Sequence, residues 1–498
     1  ADHAAMSLPA LDPSTQNLID GRLVAASDGG TFPNVNPATE EVLGVTANGT
    51  RDDIDRAIAA ARHAFDATSW SQDHVFRAHC LRQLRDALWD EREQLRAIVV
   101  AEGGVPMSIT GFVHVDDPIE MLHYWADRAG GYAYERDLAE TSFRGVPQRR
   151  VLRREAAGVV GAITPWNVPL YLAIAKLGPA LAAGCTIVLK PAPETPWSTL
   201  YLARLAAERT DLPAGVLNVV ASAEHALGEM LSADPRIDLV TFTGSTATGR
   251  RVMERASATV KKVFLELGGK SANVVLDDAD FAKVLGGAAS ICIHGGQGCA
   301  ITTRLLLPRS RWDEGIALAK TSFERWPYGD PTDPANLQGP QISRKQQQRV
   351  LGYVAQAQRD GARCLTGGRV PAHLSRGFFV EPTLIVGADP RSAIAQEEVF
   401  GPVLVALPYD DDADAVRIAN DSIYGLSGAV HGSDARALAV ARAIRTGTMS
   451  VNGGGWFHVD TPFGGYKQSG VGRENGALGF EEYLETKVIA LPASRGSA

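Results

Sequence analysis

Cysteine is scarce in this chain: 498 residues include five, at positions 80, 185, 292, 299 and 364, and no two of them form a C-x-x-C pair. A disulfide framework is thereby excluded, and a reducing, cytoplasmic setting is expected. The chain also lacks a G-x-G-x-x-G, an internal repeat, a low-complexity tract and any block rich in lysine or arginine. With 57 acidic against 49 basic residues the net charge is −8, which argues against a surface that tracks nucleic-acid phosphates. Residues 1–7 show neither the basic stretch nor the apolar core of a signal peptide, so export is not expected. One charge-free stretch, Ala156 to Ala175, has the length of a membrane span. Pro165, Asn167 and Pro169 interrupt it, and it reads as a buried strand, a turn and the start of a helix. The expected partner is a small molecule, with no nucleic acid, no membrane and no metal centre.

What the chain does have is an ordinary globular composition, 45% hydrophobic and 21% charged, over a length that exceeds a single core. Two or more domains are expected. Thr50 and Asp53 mark a helix start, and Ile54, Ala57, Ile58, Ala61 and Phe65 follow at helical spacing. From position 158 short apolar runs alternate with helical stretches: Val159 to Thr164, Thr186 to Lys190, Val216 to Val220, Leu239 to Phe242 and Val263 to Leu267. That rhythm predicts an α/β fold with a doubly wound parallel sheet. A second alternating region from about Ala272 to Val451 predicts a second α/β domain, with strands at Ala272 to Leu276, Thr303 to Leu307, Leu404 to Leu407 and Met449 to Asn452. Two strand patterns are left over, a hairpin at Glu140 to Glu155 that alternates charged and apolar residues and a strand at Tyr483 to Leu491. A neighbouring subunit is the expected cover for such edges.

Ligands of doubly wound sheets bind beyond the carboxyl ends of the strands, and three of those ends are chemically unusual. One reads Thr164-Pro165-Trp166-Asn167, another Lys190-Pro191-Ala192-Pro193-Glu194, and the third Thr243-Gly244-Ser245-Thr246 before a new helix. The last suits close approach of a pyrophosphate to a helix N-terminus. Glu266 is an acid inside the apolar strand Val263-Phe264-Leu265-Glu266-Leu267, followed by Gly268 and Gly269. Burial there raises a carboxyl pKa and suits it to act as a base. Cys299 is flanked by Gly298 and Ala300, small neighbours that leave a thiol accessible.

Taken together, Pro165-Trp166-Asn167, Lys190-Pro191, Phe242-Thr243-Gly244-Ser245, Leu265-Glu266-Leu267-Gly268-Gly269-Lys270, Gly296-Gln297-Gly298-Cys299, Glu398-Val399-Phe400-Gly401-Pro402 and Pro462-Phe463-Gly464-Gly465-Tyr466-Lys467 resemble the aldehyde dehydrogenase superfamily, in order and spacing, over nearly the entire chain. The resemblance implies NAD-dependent oxidation of an aldehyde to a carboxylate, with NADP as a second cofactor. Cys299 would be the nucleophile, Asn167 and the Cys299 amide the oxyanion donors, and Glu266 the base that activates water. Lys176 and Glu474 match positions linked to proton relay. Thr164, Trp166, Lys190, Glu194, Gly244, Ser245, Glu398 and Phe400 would hold the cofactor. Val168, Tyr171, Leu172, Ala175, Ile293, Trp456, Phe457 and Phe463 would line an uncharged aldehyde tunnel, made wide by the small Ala175, for apolar aliphatic or aromatic aldehydes.

The resemblance also implies a dinucleotide-binding domain at 1–137 and 157–265, a catalytic domain at 266–465, and an oligomerisation element at 138–156 and 480–498. Hairpin and terminal strand are expected to pair across subunits in a homodimer or homotetramer. One departure bears on the cofactor: the family's K-P-[SA]-E reads here with Pro193 in the fourth place and Glu194 one position later, so Glu194 is expected to point elsewhere and NADP to be excluded less strictly. A CoA-acylating enzyme is the main alternative, but such members typically lack a base at the position of Glu266. Cofactor-independent thiol ester hydrolysis would leave Lys190, Gly244, Ser245 and Glu398 unexplained.

Overall fold

Thr50 caps the helix Arg51–Ala67 by accepting a hydrogen bond from the Asp53 amide at 3.3 Å, while Asp53 accepts one from the Thr50 amide at 2.9 Å. This reciprocal pair satisfies two amides that the helix start leaves without partners. A computed structural model describes residues 8–492, so the outer ends of the units expected at 1–137 and 480–498 lie outside the described residues. The helices His74–Asp90, Asp116–Gly131 and Pro169–Ala183 share the largest core with one face of the first sheet. Every residue of Pro169–Ala183 is buried, which is why that helix is almost free of charge; Lys176 is its one ionisable group of the charged kind. Gly178 lets it approach its neighbour, since a Cβ there would lie 2.4 Å from Trp125. The charge-free stretch from Ala156 thus resolves into a strand, a turn and a helix opened by Pro169.

The first sheet has eight strands in the order Arg22–Val24, Asn17–Ile19, Leu217–Val219, Thr186–Lys190, Val159–Ile163, Leu239–Thr243, Lys262–Glu266 and Gly470–Val471. Its five central strands are parallel. Among the parallel strands the chain makes Val159–Ile163 first, in the middle, builds outward to one side, then crosses to Leu239–Thr243 and builds to the other. The crevice between those two strands is the topological switch point, where a doubly wound sheet opens to a ligand. Gly470–Val471, outside every expected boundary, pairs antiparallel with Leu265 and Glu266 and closes this edge.

The second sheet runs Arg363–Thr366, Thr383–Val386, Val403–Tyr409, Arg304–Pro308, Ala272–Val275, Gly428–His431 and Ser450–Val451, parallel apart from its first pair. Three of these, Arg363–Thr366, Thr383–Val386 and Gly428–His431, are not among the expected strands. A third sheet joins Leu484–Pro492, Val146–Ala156, Glu135–Asp137 and Thr141–Phe143. The terminal strand pairs with the hairpin of its own chain, in register from Leu484 opposite Ala156 to Pro492 opposite Gln148, where the expectation had placed the partner in a neighbouring subunit. That pairing satisfies one edge of the terminal strand; its other edge has no strand partner among the described residues. None of the described helices is long and apolar enough to cross a membrane, and all five cysteines are unbonded.

Candidate active site

At the switch point two strand ends turn outward side by side. After Val159–Ile163 the chain runs through Thr164, Pro165, Trp166 and Asn167; after Leu239–Thr243 it turns at Gly244, whose amide donates to the Glu266 carbonyl at 3.0 Å. A side chain at Gly244 would meet the Phe242 ring at 2.4 Å, so this turn requires glycine. Ser245 then caps the helix Thr246–Ala256 by accepting from the Thr248 amide at 3.2 Å.

A cavity of about 450 Å³ lies over these ends, lined by Thr164, Trp166, Lys190, Glu194, Gly244 and Ser245. Lys190 Nζ donates to the Ser222 carbonyl at 3.1 Å, and burial lowers its pKa to about 8, against the pull of Glu194. Glu194 therefore faces the same cavity as Lys190, contrary to the expectation that its shifted position turns it away; Pro193 lines the wall beside it. The far wall adds His225, Glu229, Arg251 and Arg255, which sequence reasoning missed. Arg251 pairs with Glu229, and Arg255 lies 3.5 Å from the same carboxylate. The available signal was the helical spacing of Thr248, Arg251, Val252 and Arg255, which sets one face of the helix toward the cavity.

A second cavity of about 870 Å³ shares Pro165, Trp166, Thr243, Gly244 and Ser245 with the first, so the two form one groove. It gathers Asn167, Glu266, Cys299, Glu398, Phe400 and Glu474 from segments far apart in sequence. Cys299 is half-buried on a loop reached through tight backbone contacts. A Cβ at Gly296 would lie 2.1 Å from the Gly401 carbonyl, and one at Gly269 would lie 2.7 Å from the Cys299 carbonyl. Gln297 braces the loop, donating to the carbonyls of His294 at 3.0 Å and Pro340 at 3.2 Å and accepting from the Ile342 amide at 2.8 Å. The Asn167 side-chain amide in turn donates to the Gln297 carbonyl at 3.0 Å.

Glu266 is 3% exposed and neither carboxylate oxygen has a hydrogen-bond partner. Burial, and then the nearby Glu474, hold its pKa well above the carboxylate range. Glu474 accepts from the buried Lys176 at 3.2 Å, and Lys176 also donates to Thr241 at 3.1 Å. Lys176 thus stands behind Glu474 and does not itself line the cavity. Burial and the carboxylates of Glu398, Glu266 and Glu474 push the Cys299 thiol up, so the resting cysteine is protonated. Glu398 rests on the glycine pair that follows Glu266. Its Oε1 accepts from the Gly269 amide at 3.0 Å, and a Cβ at Gly268 would lie 2.4 Å from its Oε2. Burial raises Glu398 to about 7. Phe400, at φ +58°, sets its ring edge-on to Trp166 at 5.4 Å.

Val168, Tyr171, Leu172, Ile293, Trp456, Phe457 and Phe463 line this second cavity. Ala175 does not. It lies one helical turn beyond Tyr171, fully buried in the core, so the width expected from its small side chain has no wall to act on. The missing wall comes from Ile109, Phe112, Val113 and His114, on an irregular segment with no periodic signal, together with His294 and Ile301. Nor is the lining free of charge: Lys345 and Arg349 reach the cavity beside Glu398 and Phe400.

The chain matches the model of the aldehyde dehydrogenase family over residues 24–489. It is 41% identical over 477 residues to 3-succinoylsemialdehyde-pyridine dehydrogenase of a Pseudomonas species, covering 95% of this chain and 97% of that one. With the putative aldehyde dehydrogenase DhaS of Bacillus subtilis it shares 36% over 477 residues, 95% and 94% of the two chains. Among solved structures, betaine aldehyde dehydrogenase of Staphylococcus aureus in complex with NAD+ superposes with a TM-score of 0.93 at 34% identity, over 97% of this chain and 96% of that one. Mycobacterium tuberculosis aldehyde dehydrogenase complexed with NAD+ gives 0.92 at 41% identity, over 97% and 99%.

Proposed function

The chain belongs to the aldehyde dehydrogenase family, and from that premise we propose that it oxidises apolar aliphatic or aromatic aldehydes to carboxylates with NAD, through a covalent intermediate on Cys299. The observation that carries this reading is the meeting of Cys299, Asn167 and Glu266 around one cavity continuous with the switch-point groove. The groove suits a dinucleotide. Thr164 and Thr243 hold buried hydroxyls with no partner at its junction, Gly244 leaves room beside a helix N-terminus, and Lys190 and Glu398 stand at either end. Thr164, Trp166, Lys190, Glu194, Gly244, Ser245, Glu398 and Phe400 would hold NAD, which when bound supplies the acceptor for a hydride.

The protein's own part begins at the thiol. Glu266 takes the Cys299 proton as sulfur adds to the aldehyde carbon, and the carbonyl oxygen becomes an oxyanion held by the Asn167 amide and the Cys299 N–H. After oxidation to the thioester, Glu266 takes a proton from water as its oxygen attacks the acyl carbon; the carbon–sulfur bond breaks and the carboxylate leaves. Glu474 and Lys176 provide the path by which the proton on Glu266 reaches solvent. The apolar wall of Val168, Tyr171, Leu172, Ile293, Trp456, Phe457 and Phe463 supports the uncharged substrate class. A relative named for a pyridine-bearing semialdehyde agrees with a ring-sized cavity.

An aldehyde panel with NAD and with NADP, followed by absorbance of the reduced nicotinamide, tests the reading. Highest kcat/KM on apolar aldehydes with NAD is expected, and a phosphorylated aldehyde at the top would overturn the substrate class. The exposed Phe143, Val146, Val488 and Leu491 on the third sheet support a homodimer or homotetramer, measurable by light scattering. The unbonded cysteines suit a reducing cytoplasm.

A further inference from the structure

Arg96, on the helix Arg92–Gly103, is 6% exposed, a burial that a guanidinium rarely tolerates unless it is paired. All three of its nitrogens are engaged. Nε donates to the Glu93 carboxylate at 3.1 Å, Nη1 to the Thr110 hydroxyl at 2.6 Å and Nη2 to the Asp116 carboxylate at 2.8 Å. Thr110 and Asp116 flank the irregular stretch 111–115, and the Val115 amide donates to the Thr110 carbonyl at 3.0 Å. One planar group thus closes the neck of an excursion in the chain. The approach to the neck is tied down as well. Thr110 donates its hydroxyl proton to the Met107 carbonyl at 2.8 Å, which leaves its oxygen to accept from Arg96, and the Ser108 hydroxyl donates to the Asn336 carbonyl at 2.6 Å.

What the neck holds is a length of cavity wall. Ile109, Phe112, Val113 and His114 all line the cavity that contains Cys299, but they differ in depth. His114 is buried, its ring edge-on to that of His294 at 4.8 Å, on the segment that leads to Cys299. Phe112 is 66% exposed, and the chain departs from helical geometry there, at φ −87° and ψ −132°. The excursion therefore runs from beside the Cys299 segment to an open edge of the cavity, where the exposed Phe457 also lines it. A phenyl ring standing largely in water at the rim of an apolar cavity gains from an apolar molecule that emerges beside it.

We propose that Arg96 is a positioning residue for substrate selection: by closing the neck of 111–115 it fixes Phe112 as the outer contact of the aldehyde cavity, and the enzyme selects aldehydes long enough to reach that ring. The preferred substrates are then extended apolar aldehydes, and short ones are turned over at higher KM. Arginine suits the task because its rigid fork holds Thr110 and Asp116 in one geometry, where the single ammonium of a lysine fixes no such spacing. The proposal rests on the aldehyde-oxidation reading above.

The test measures kcat/KM with NAD for propanal, hexanal and decanal. In the wild type decanal should exceed propanal about tenfold, mostly through KM. Phe112→Ala should remove most of that advantage. Arg96→Leu should lower the decanal-to-propanal ratio nearly as far with KM for NAD unchanged, and the double substitution should lower it no further than Phe112→Ala alone, because both act through one ring. Thr110→Val, which keeps the volume and loses the hydroxyl, should follow Arg96→Leu, whereas Thr110→Ser should keep the wild-type ratio; this second pair decides the matter if the leucine variant does not fold. A wild type indifferent to chain length, a ratio that survives Arg96→Leu or Thr110→Val, an equal fall for all three aldehydes, or additive losses in the double variant would each overturn the role of Arg96 while leaving aldehyde oxidation standing. No turnover of any aldehyde would overturn both readings.

Discussion

The two halves of the groove are built on opposite plans. The half over Lys190 and Glu194 is formed largely by strand ends and one helix face, and its far wall is charged and open: Arg251 is 64% and Glu229 36% exposed. The half around Cys299 draws on segments from 109 to 474 and buries the carboxylates beside the thiol, with Glu266 and Glu474 at 3% and 2%, while Lys345 and Arg349 at its rim are exposed. Electrostatic effects are large where water is excluded and small where it is not. Changes in the closed half should therefore act on the chemical step, and changes in the open half on cofactor affinity and choice.

The sharpest way to break this contrast is Cys299→Ser. Aldehyde oxidation should fall by several orders of magnitude while NAD binding, read by fluorescence titration, stays close to wild type. Parallel losses of binding and turnover would show that the halves are not separable. Next comes Glu266→Gln, expected to lower kcat by about 10²–10⁴-fold. Because the Glu266 pKa is raised, its base form appears only as pH rises through that shifted value, so wild-type kcat should climb with pH and the variant should lose this limb. A wild-type profile that is flat across the same range would remove Glu266 from the role of base.

Gly268→Ala probes the boundary between the halves. The new methyl would occupy the place of the Glu398 carboxylate, and a rise of about tenfold in KM for NAD, roughly 1.4 kcal/mol, is expected with kcat changed less. Smallest is the effect at the open end. Glu194→Gln should lower the ratio of NAD to NADP specificity constants by about threefold. If Pro193→Glu shifts that ratio more than Glu194→Gln does, the one-residue displacement matters after all and the position of Glu194 beside Lys190 is not what discriminates.

The same contrast decided what could be read from the residues. Runs such as Thr186 to Lys190 are strands in a buried parallel sheet, and their apolar pattern marks them within one or two residues. Gly428–His431 escaped notice because it is short and begins with glycine. The residues of the strand ends, Thr164 to Asn167 and Gly244 with Ser245, were found as local clusters, and the structure brings them together. His114 and Arg349 were not, because each joins the groove only through packing of elements remote in sequence; Arg251 shows only in the helical spacing that follows Ser245. Ala175 was misplaced for a related reason: belonging to the right helix did not fix how far along it the cavity extends. The terminal strand was recognised, but a strand pattern carries no information about whether its partner lies in the same chain.

Glu266 faces Gly470 across the last pairing of the first sheet, and the chain builds the whole second sheet between these two residues. The consequence is an order of assembly. A folding chain can form the five central strands, and with them the Lys190 end of the cofactor groove, from contacts within residues 159–266, before Glu398 and Phe400 arrive with the second sheet. The strand that carries the base becomes an interior strand only after a loop the size of a domain has closed, a slow event of high contact order. Competence to bind nucleotide should thus precede competence to turn over substrate during refolding, with the interval set by how fast the inserted sheet forms.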